Sequence, residues 1–141
     1  MSSWDTRYME LAQFVAQWSK DPNRKVGAVV TLNNYVKGIG FNGFPRGIKD
    51  TKQRLNDKEL KNLLMVHAEF NALSSAGRVG DTIYVWPLLP CTRCMGEIIQ
   101  AGIKRIVVMP PRKNSKWNQN LVLELAYEAG VELDTLEWSD L

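Results

Sequence analysis

The chain contains a single histidine, His67, and two cysteines, Cys91 and Cys94, and all three fall in two short motifs, His67-Ala68-Glu69 and Pro90-Cys91-Thr92-Arg93-Cys94. If they act together, the fold has to bring position 67 against positions 91 and 94. Thiolates and a neutral imidazole suit zinc. Three protein ligands leave the fourth tetrahedral position for water, whose pKa such a site lowers from ~15.7 toward roughly 7. Cys91 and Cys94 are three apart, so they share one face of a helical turn, and a helix N-terminus there helps to keep both as thiolates. Pro90, directly before that turn, is consistent with a helix start. Taken alone, a histidine beside apolar residues is usually packed or at the surface, and Cys-x-x-Cys is a redox pair or half of a structural zinc site. The redox reading leaves His67-Ala68-Glu69 unexplained. A closed structural site wants four Cys or His ligands where this chain has three in total.

Length and composition set the frame for that site. At 141 residues the chain fits one domain, residues 1–141, with a continuous hydrophobic core. With 45% hydrophobic and 23% charged residues it reads as a soluble globular protein. No basic-then-apolar leader and no apolar run of membrane-spanning length is seen, so the expectation is a cytoplasmic protein without a membrane partner. Two reduced cysteines suit that compartment. A net charge of +3 is too mild to argue for nucleic-acid binding.

Periodicity supplies the elements. Residues 5–19 place Tyr8, Leu11, Ala12, Val15 and Trp18 at helical spacing, with Ser2 or Ser3 as N-cap. Val26–Leu32 and Val36–Phe41 are β-rich runs around Asn33-Asn34, a turn pair that tolerates positive φ, and predict a hairpin. Helices are expected over His67–Ala76 and Cys91–Ala101, stopped at Gly77 and Gly102, with a strand at Thr82–Trp86 between them. A strand at Arg105–Met109, a helix at Asn118–Ala129 and a short strand at Val131–Leu136 complete the order αββαβαβαβ. Strand-helix alternation favours crossovers beside a mixed, mostly five-stranded sheet covered on both faces, a three-layer α/β/α domain of the α/β class. Ligands in such folds sit beyond strand ends and at helix N-termini, where His67, Glu69, Cys91 and Cys94 fall.

The paired motifs resemble the signature of zinc-dependent base deaminases, in which one His and two Cys hold the metal and a non-ligand Glu moves protons. Three further segments, Ser19-Lys20-Asp21-Pro22-Asn23-Arg24-Lys25-Val26-Gly27-Ala28, Gly40-Phe41-Asn42-Gly43 and Ile98–Lys104, make nearly the whole chain similar to deoxycytidylate deaminases. The likeness is to the bacterial and bacteriophage members of the cytidine-deaminase-like superfamily. It implies a cytidine-deaminase-like fold and hydrolysis of dCMP to dUMP and ammonia, a step that supplies the dTMP precursor. It also implies zinc ligation by His67, Cys91 and Cys94, and a Glu69 that takes a proton from the zinc-bound water, delivers it to ring N3 and helps the amino group leave. By the same resemblance the backbone at Ala68 and the Cys91 turn hold the cytosine edge, and Asn42 contacts sugar and base. A turn asparagine is the plain alternative for Asn42, since Asn-Gly is a common turn pair. A nucleotide substrate needs phosphate contacts, for which Arg24 and Lys25 are the first candidates. The cluster Arg112, Lys113, Lys116 and Trp117 is a second, with Trp117 placed to cover the base. Any one of these cations is also readable as a solvated surface charge.

Two departures from the family qualify this. Thr82–Pro90 is one residue longer than in the animal pattern, which gives Trp86 or Leu88 a chance to reshape the pocket. Residues 44–66 lack Cys and His, unlike relatives that brace this region with a second zinc, and read as a lid or oligomer contact or as a solvated loop with one helix, Asp57–Met65. All Cys and His are used at one site, so the expectation is one zinc per chain and weak or absent effector regulation at the 40–43 loop. The family commonly forms hexamers, which implies a homo-oligomer. The competing functions are deamination of cytidine, guanine or a tRNA adenosine and, from another class, a zinc-stabilised binding module. Glu69 argues against the module, which has no use for a carboxylate two residues after its ligand.

Overall fold

The computed structural model describes residues 2–111 and 119–141. Helix α1 (Ser3–Ala16) opens on a capping box in which the Ser2 hydroxyl accepts from the Asp5 amide while the Asp5 carboxylate accepts from the Ser2 amide. Strands β1 (Gly27–Leu32) and β2 (Tyr35–Phe41) pair as an antiparallel hairpin. Asn33 and Asn34 both take positive φ, 49° and 68°, the conformation that a two-residue turn matching strand twist requires. Helices α2 (Lys52–Leu55) and α3 (Lys58–Leu64) follow, and then α4 (Ala68–Ser75), β3 (Thr82–Trp86), α5 (Thr92–Gln100), β4 (Arg105–Val108), α6 (Gln119–Ala129) and β5 (Glu132–Thr135). A single 3₁₀ turn, Trp138–Asp140, comes last. The sequence order thus holds, and between residues 44 and 66 the helix expected at Asp57–Met65 is α3, with the unexpected short helix α2 before it. Thr51 and Asp57 each cap a short helix by accepting from the amide three residues on.

The sheet runs β2-β1-β3-β4-β5. β1 is antiparallel to β2 and β3, whereas β4 is parallel to both β3 and β5. Alternation of side chains divides each strand between two clusters. Val29, Tyr84 and Val107 face α1, packing with Tyr8, Met9 and Ala12. Val30, Ile83, Val85, Ile106 and Val108 face the other layer, made by Ala72 and Leu73 of α4, Met95 and Ile98 of α5, and Val122 and Ala126 of α6. The result is the expected three-layer α/β/α arrangement with a mixed five-stranded sheet. Helix α4 lies directly on the hairpin because β2 offers glycine beneath it. A Cβ at Gly38 would meet Ala72 O and Ala76 N, and one at Gly40 would meet Ala72 N and Ala68 O.

On the α1 side a polar knot ties three strands to the helix start. Asp5, almost fully buried, accepts from Arg105 through both oxygens (2.8 and 2.9 Å) and from the Tyr84 hydroxyl (2.7 Å), and Arg105 Nε donates to Asp134 at 2.7 Å. The guanidinium holds the Asp5 carboxyl well below the usual carboxylate range, while burial and Asp5 push the Tyr84 phenol up. Because the Asp5 pKa is depressed in the fold, its contribution is complete above the ordinary value of ~3.9 and is lost as pH falls through the lower folded value. Removing one partner of such a pair strands the other charge. Asp5→Ala is therefore expected to cost about 3 kcal/mol in urea unfolding near pH 7. The gap from the unsubstituted protein should narrow progressively below about pH 4.

Candidate functional site

Two helix N-termini converge at the edge of the sheet where β2 and β3 finish and β1 begins. His67 is the N-cap of α4, with extended backbone and no capping bond from its ring, so the imidazole is left to point elsewhere. Glu69 is the second residue of the same helix. Cys91 is the N-cap of α5 and its Sγ accepts from the Cys94 amide at 3.5 Å, which sets Cys94 in the first turn beside it. The path before α4 is fixed by a backbone pair in which Gly43 N donates to Val66 O (3.1 Å) and Val66 N donates to Gly43 O (2.7 Å).

The ring Nδ1 of His67 lies 3.1 Å from Cys94 Sγ and 3.6 Å from Cys91 Sγ, and the three ligand atoms all fall within 4.8 Å of one another. Zinc bonds of ~2.3 Å to sulfur and ~2.0 Å to nitrogen in a tetrahedron imply N···S separations of about 3.5 Å. The two observed separations bracket that value, and one nitrogen with two sulfurs is a donor set that this metal favours. Among the described residues it is the one such group of three.

Electrostatics sharpen the picture. The Cys91 thiol is drawn down to about 4, first by a hydrogen bond from Cys94 and then by His67, whereas sharing that proton and burial push Cys94 up. The His67 imidazole is raised, chiefly by its bond to Cys91. Two sulfurs competing for one proton at helix N-termini are an arrangement that a shared cation satisfies. Glu69 is only 4% exposed, and burial pushes its carboxyl up to about 7. A carboxyl poised near neutrality can both accept and release a proton at little cost.

A cavity of ≈ 610 Å³ opens onto this group, a volume suited to a small-molecule ligand. His67, Ala68, Glu69 and Cys91 line it on one side. Asp21, Asn23 and Arg24 come from the loop before β1, and Lys58, Lys61, Asn62 and Met65 come from α3 and its end. Val26 and Asn42 line it as well. Among the residues singled out in the sequence, His67, Glu69, Cys91, Cys94, Ala68, Asn42 and Arg24 thus gather in one region. Lys25 does not line the cavity, because its ammonium donates to Ser19 O at 2.5 Å. Trp117, with Arg112, Lys113 and Lys116, lies outside the described residues. Neither Trp86 nor Leu88 lines the cavity. Trp86 packs against the α1-side cluster and Leu88 against the opposite one, which removes the expected route by which they would reshape it. Conversely, Lys58 and Lys61 were not singled out, since their segment carries no motif and reads as a charged surface stretch.

Asn42 is buried and already engaged. Its Oδ1 accepts from Val26 N (2.9 Å) and its Nδ2 donates to Arg24 O (2.8 Å), so it braces the strand entry that carries Arg24. One lone pair and one N–H remain for a ligand. Asn42→Ala leaves two backbone groups unpartnered, and a loss of about 2 kcal/mol in thermal or urea unfolding is expected. A loss under ~0.5 kcal/mol would show that the brace is not needed.

A family model described as the cytidine and deoxycytidylate deaminase zinc-binding region matches residues 2–110. The deoxycytidylate deaminase of Homo sapiens is 40% identical over 137 residues, covering 91% of this chain and 76% of that protein. The uncharacterized deaminase of the luxG 3′ region of Aliivibrio fischeri is 35% identical over 141 residues, covering 96% and 95%. Among solved structures, the dCMP deaminase of cyanophage S-TIM5 in complex with dCMP and dUMP superposes with a TM-score of 0.74 at 23% identity, over 96% of this chain and 99% of that one. At that identity the superposition speaks for the fold.

Proposed function

The chain belongs to the cytidine and deoxycytidylate deaminase family, and on that premise we propose that it hydrolyses dCMP to dUMP and ammonia, supplying the precursor of dTMP. The observation that carries the reading is one cavity lined both by His67 and Cys91 of the His-Cys-Cys group with the buried Glu69 carboxyl and, on its other walls, by the cations Arg24 and Lys58. A pyrimidine ring fits against the first and a phosphate against the second. Likeness to human deoxycytidylate deaminase over most of both chains supports dCMP over cytidine, guanine or a tRNA adenosine. A non-catalytic zinc module gives no reason for Glu69 to be buried in the cavity wall.

His67, Cys91 and Cys94 hold zinc in this reading, one ion per chain. When bound, zinc supplies hydroxide near neutral pH by acidifying a water in its open position. Glu69 would take up the proton released there and pass it to ring N3 as the ring carbon is attacked, then take a second proton from the hydroxyl now on that carbon and hand it to the amino group, which leaves as ammonia while the hydroxyl becomes the product carbonyl. The Ala68 amide, at the start of α4, directs the partial positive charge of a helix N-terminus to the cytosine edge. Asn42 presents its remaining donor and acceptor to the sugar. Arg24 and Lys58 take the phosphate, replacing the earlier pairing of Arg24 with Lys25.

Cytoplasmic residence follows from the need to keep two ligand thiols reduced. Among the described residues no helix is long and apolar enough to cross a membrane. A homo-oligomer accounts for exposed apolar side chains such as Phe14, Leu63 and Tyr127.

Glu69→Gln is expected to retain zinc by elemental analysis yet lose ~10²–10⁴-fold in ammonia release. Cys94→Ala should lose both, and full zinc in that variant would refute the ligand assignment. With the unsubstituted protein, dCMP should exceed deoxycytidine in kcat/KM by at least about tenfold, as a charge-assisted phosphate contact implies, and Lys58→Ala should erode that ratio. Equal efficiency on nucleoside and nucleotide would sink the nucleotide reading.

A further inference from the structure

Helix α3 forms a wall of the cavity, yet none of its residues is buried, and Leu63, the most exposed of its leucines, is 81% accessible. Only Leu60 and Lys61 of the helix are half-buried, so its apolar hold on the domain is narrow. What reaches back from its middle is Lys61. Its ammonium lies 3.0 Å from Asp21 Oδ1, and the two side chains are only 11% and 7% exposed. The same Asp21 oxygen accepts from the amides of Asn23 (2.9 Å) and Arg24 (3.4 Å), the turn that presents Arg24 to the cavity. That turn is held from the far side by Asn42 through Arg24 O and Val26 N. One carboxylate oxygen thus joins two cavity walls that come from segments 40 residues apart in sequence.

We propose that Lys61 is a positioning residue that, through Asp21, docks α3 on the Arg24 turn and so fixes the spacing of the two walls between which the nucleotide binds. This deepens the dCMP reading and rests on it. Lys61 is not a phosphate ligand here, because its charge is spent on a buried carboxylate. Arg24 and Lys58, one on each wall, are brought to their working separation by the pair between Asp21 and Lys61. Losing the pair loosens substrate binding while the groups around the reacting carbon stay in place.

The test uses the zinc-loaded full chain carrying Asp21→Asn, Lys61→Met, both together, or Lys61→Arg. Asparagine keeps an acceptor for the turn amides and removes only the charge that faces Lys61. Each single variant is expected to raise KM for dCMP about tenfold with kcat changed by less than about threefold, the pattern of lost binding rather than lost chemistry. The double variant should be no worse than either single one, because the two changes break one interaction. Lys61→Arg should recover most of the loss. Hydrogen exchange at the amides of residues 59–65 should quicken about tenfold in Asp21→Asn and Lys61→Met alike. Unchanged protection of α3 in Asp21→Asn overturns the proposal. So does an unchanged or lower KM in that variant beside a raised KM in Lys61→Met, which would make Lys61 a direct phosphate contact. If Asp21→Asn fails to fold, Lys61→Met against Lys61→Arg decides by the same two readouts. An unsubstituted protein inactive on dCMP would refute the nucleotide reading instead, while the exchange measurement still decides whether the pair holds α3.

Discussion

The structure depends first on how closely α4 can approach the sheet. The helix backbone rests on Gly38 and Gly40 of β2, where a methyl group would collide with the backbone of α4. That approach sets the height of the α4 N-terminus above the sheet and brings His67 within 3.6 Å of both sulfurs at the start of α5. Two helix N-termini aimed at one point would repel if empty of charge, and thiolates supply the charge. Packing and electrostatics therefore select the same residues at the same place. Glu69 belongs to this arrangement as well, since only a helix pressed against the core buries its second residue so fully.

Away from the site, the fold secures its other face with charge. Asp5 caps α1, accepts from Arg105 and Tyr84, and through Arg105 reaches Asp134, so that α1, β3, β4 and β5 share one hydrogen-bonded knot. The knot lies on the α1 side of the sheet and the group formed by His67, Glu69, Cys91 and Cys94 on the α4 and α5 side. Substitutions in it should speak through stability rather than through the reaction.

Much of this was legible in the sequence because its signals are local. Thr82–Trp86 is a compact β-rich run, Asn33-Asn34 is a turn pair with a conformational reason, and the Pro90-Cys91 start of α5 is a cap signal; each appears where it was expected. The meeting of His67 with Cys91 and Cys94 was legible for a different reason, since a chain with one His and two Cys offers a single His-Cys-Cys set. Residues 44–66 were read less well. Two helices of four and seven residues are too short to show a hydrophobic period, and besides the buried Leu55 what ties this segment down is an ion pair and a backbone bridge. Neither leaves a trace in sequence. Arg24 and Lys25 are neighbours of equal charge, and only the structure shows Lys25 turned back onto Ser19 O while Arg24 lines the cavity.

The central claim is a metal held by three side chains, with a fourth position open to the cavity beside Glu69. X-ray absorption at the zinc edge of the purified protein tests it directly. The account predicts two sulfur neighbours at ~2.3 Å and two nitrogen or oxygen neighbours at ~2.0–2.1 Å, one of them from His67 and one from solvent. A shell of three or more sulfurs, or one with no sulfur, would contradict it.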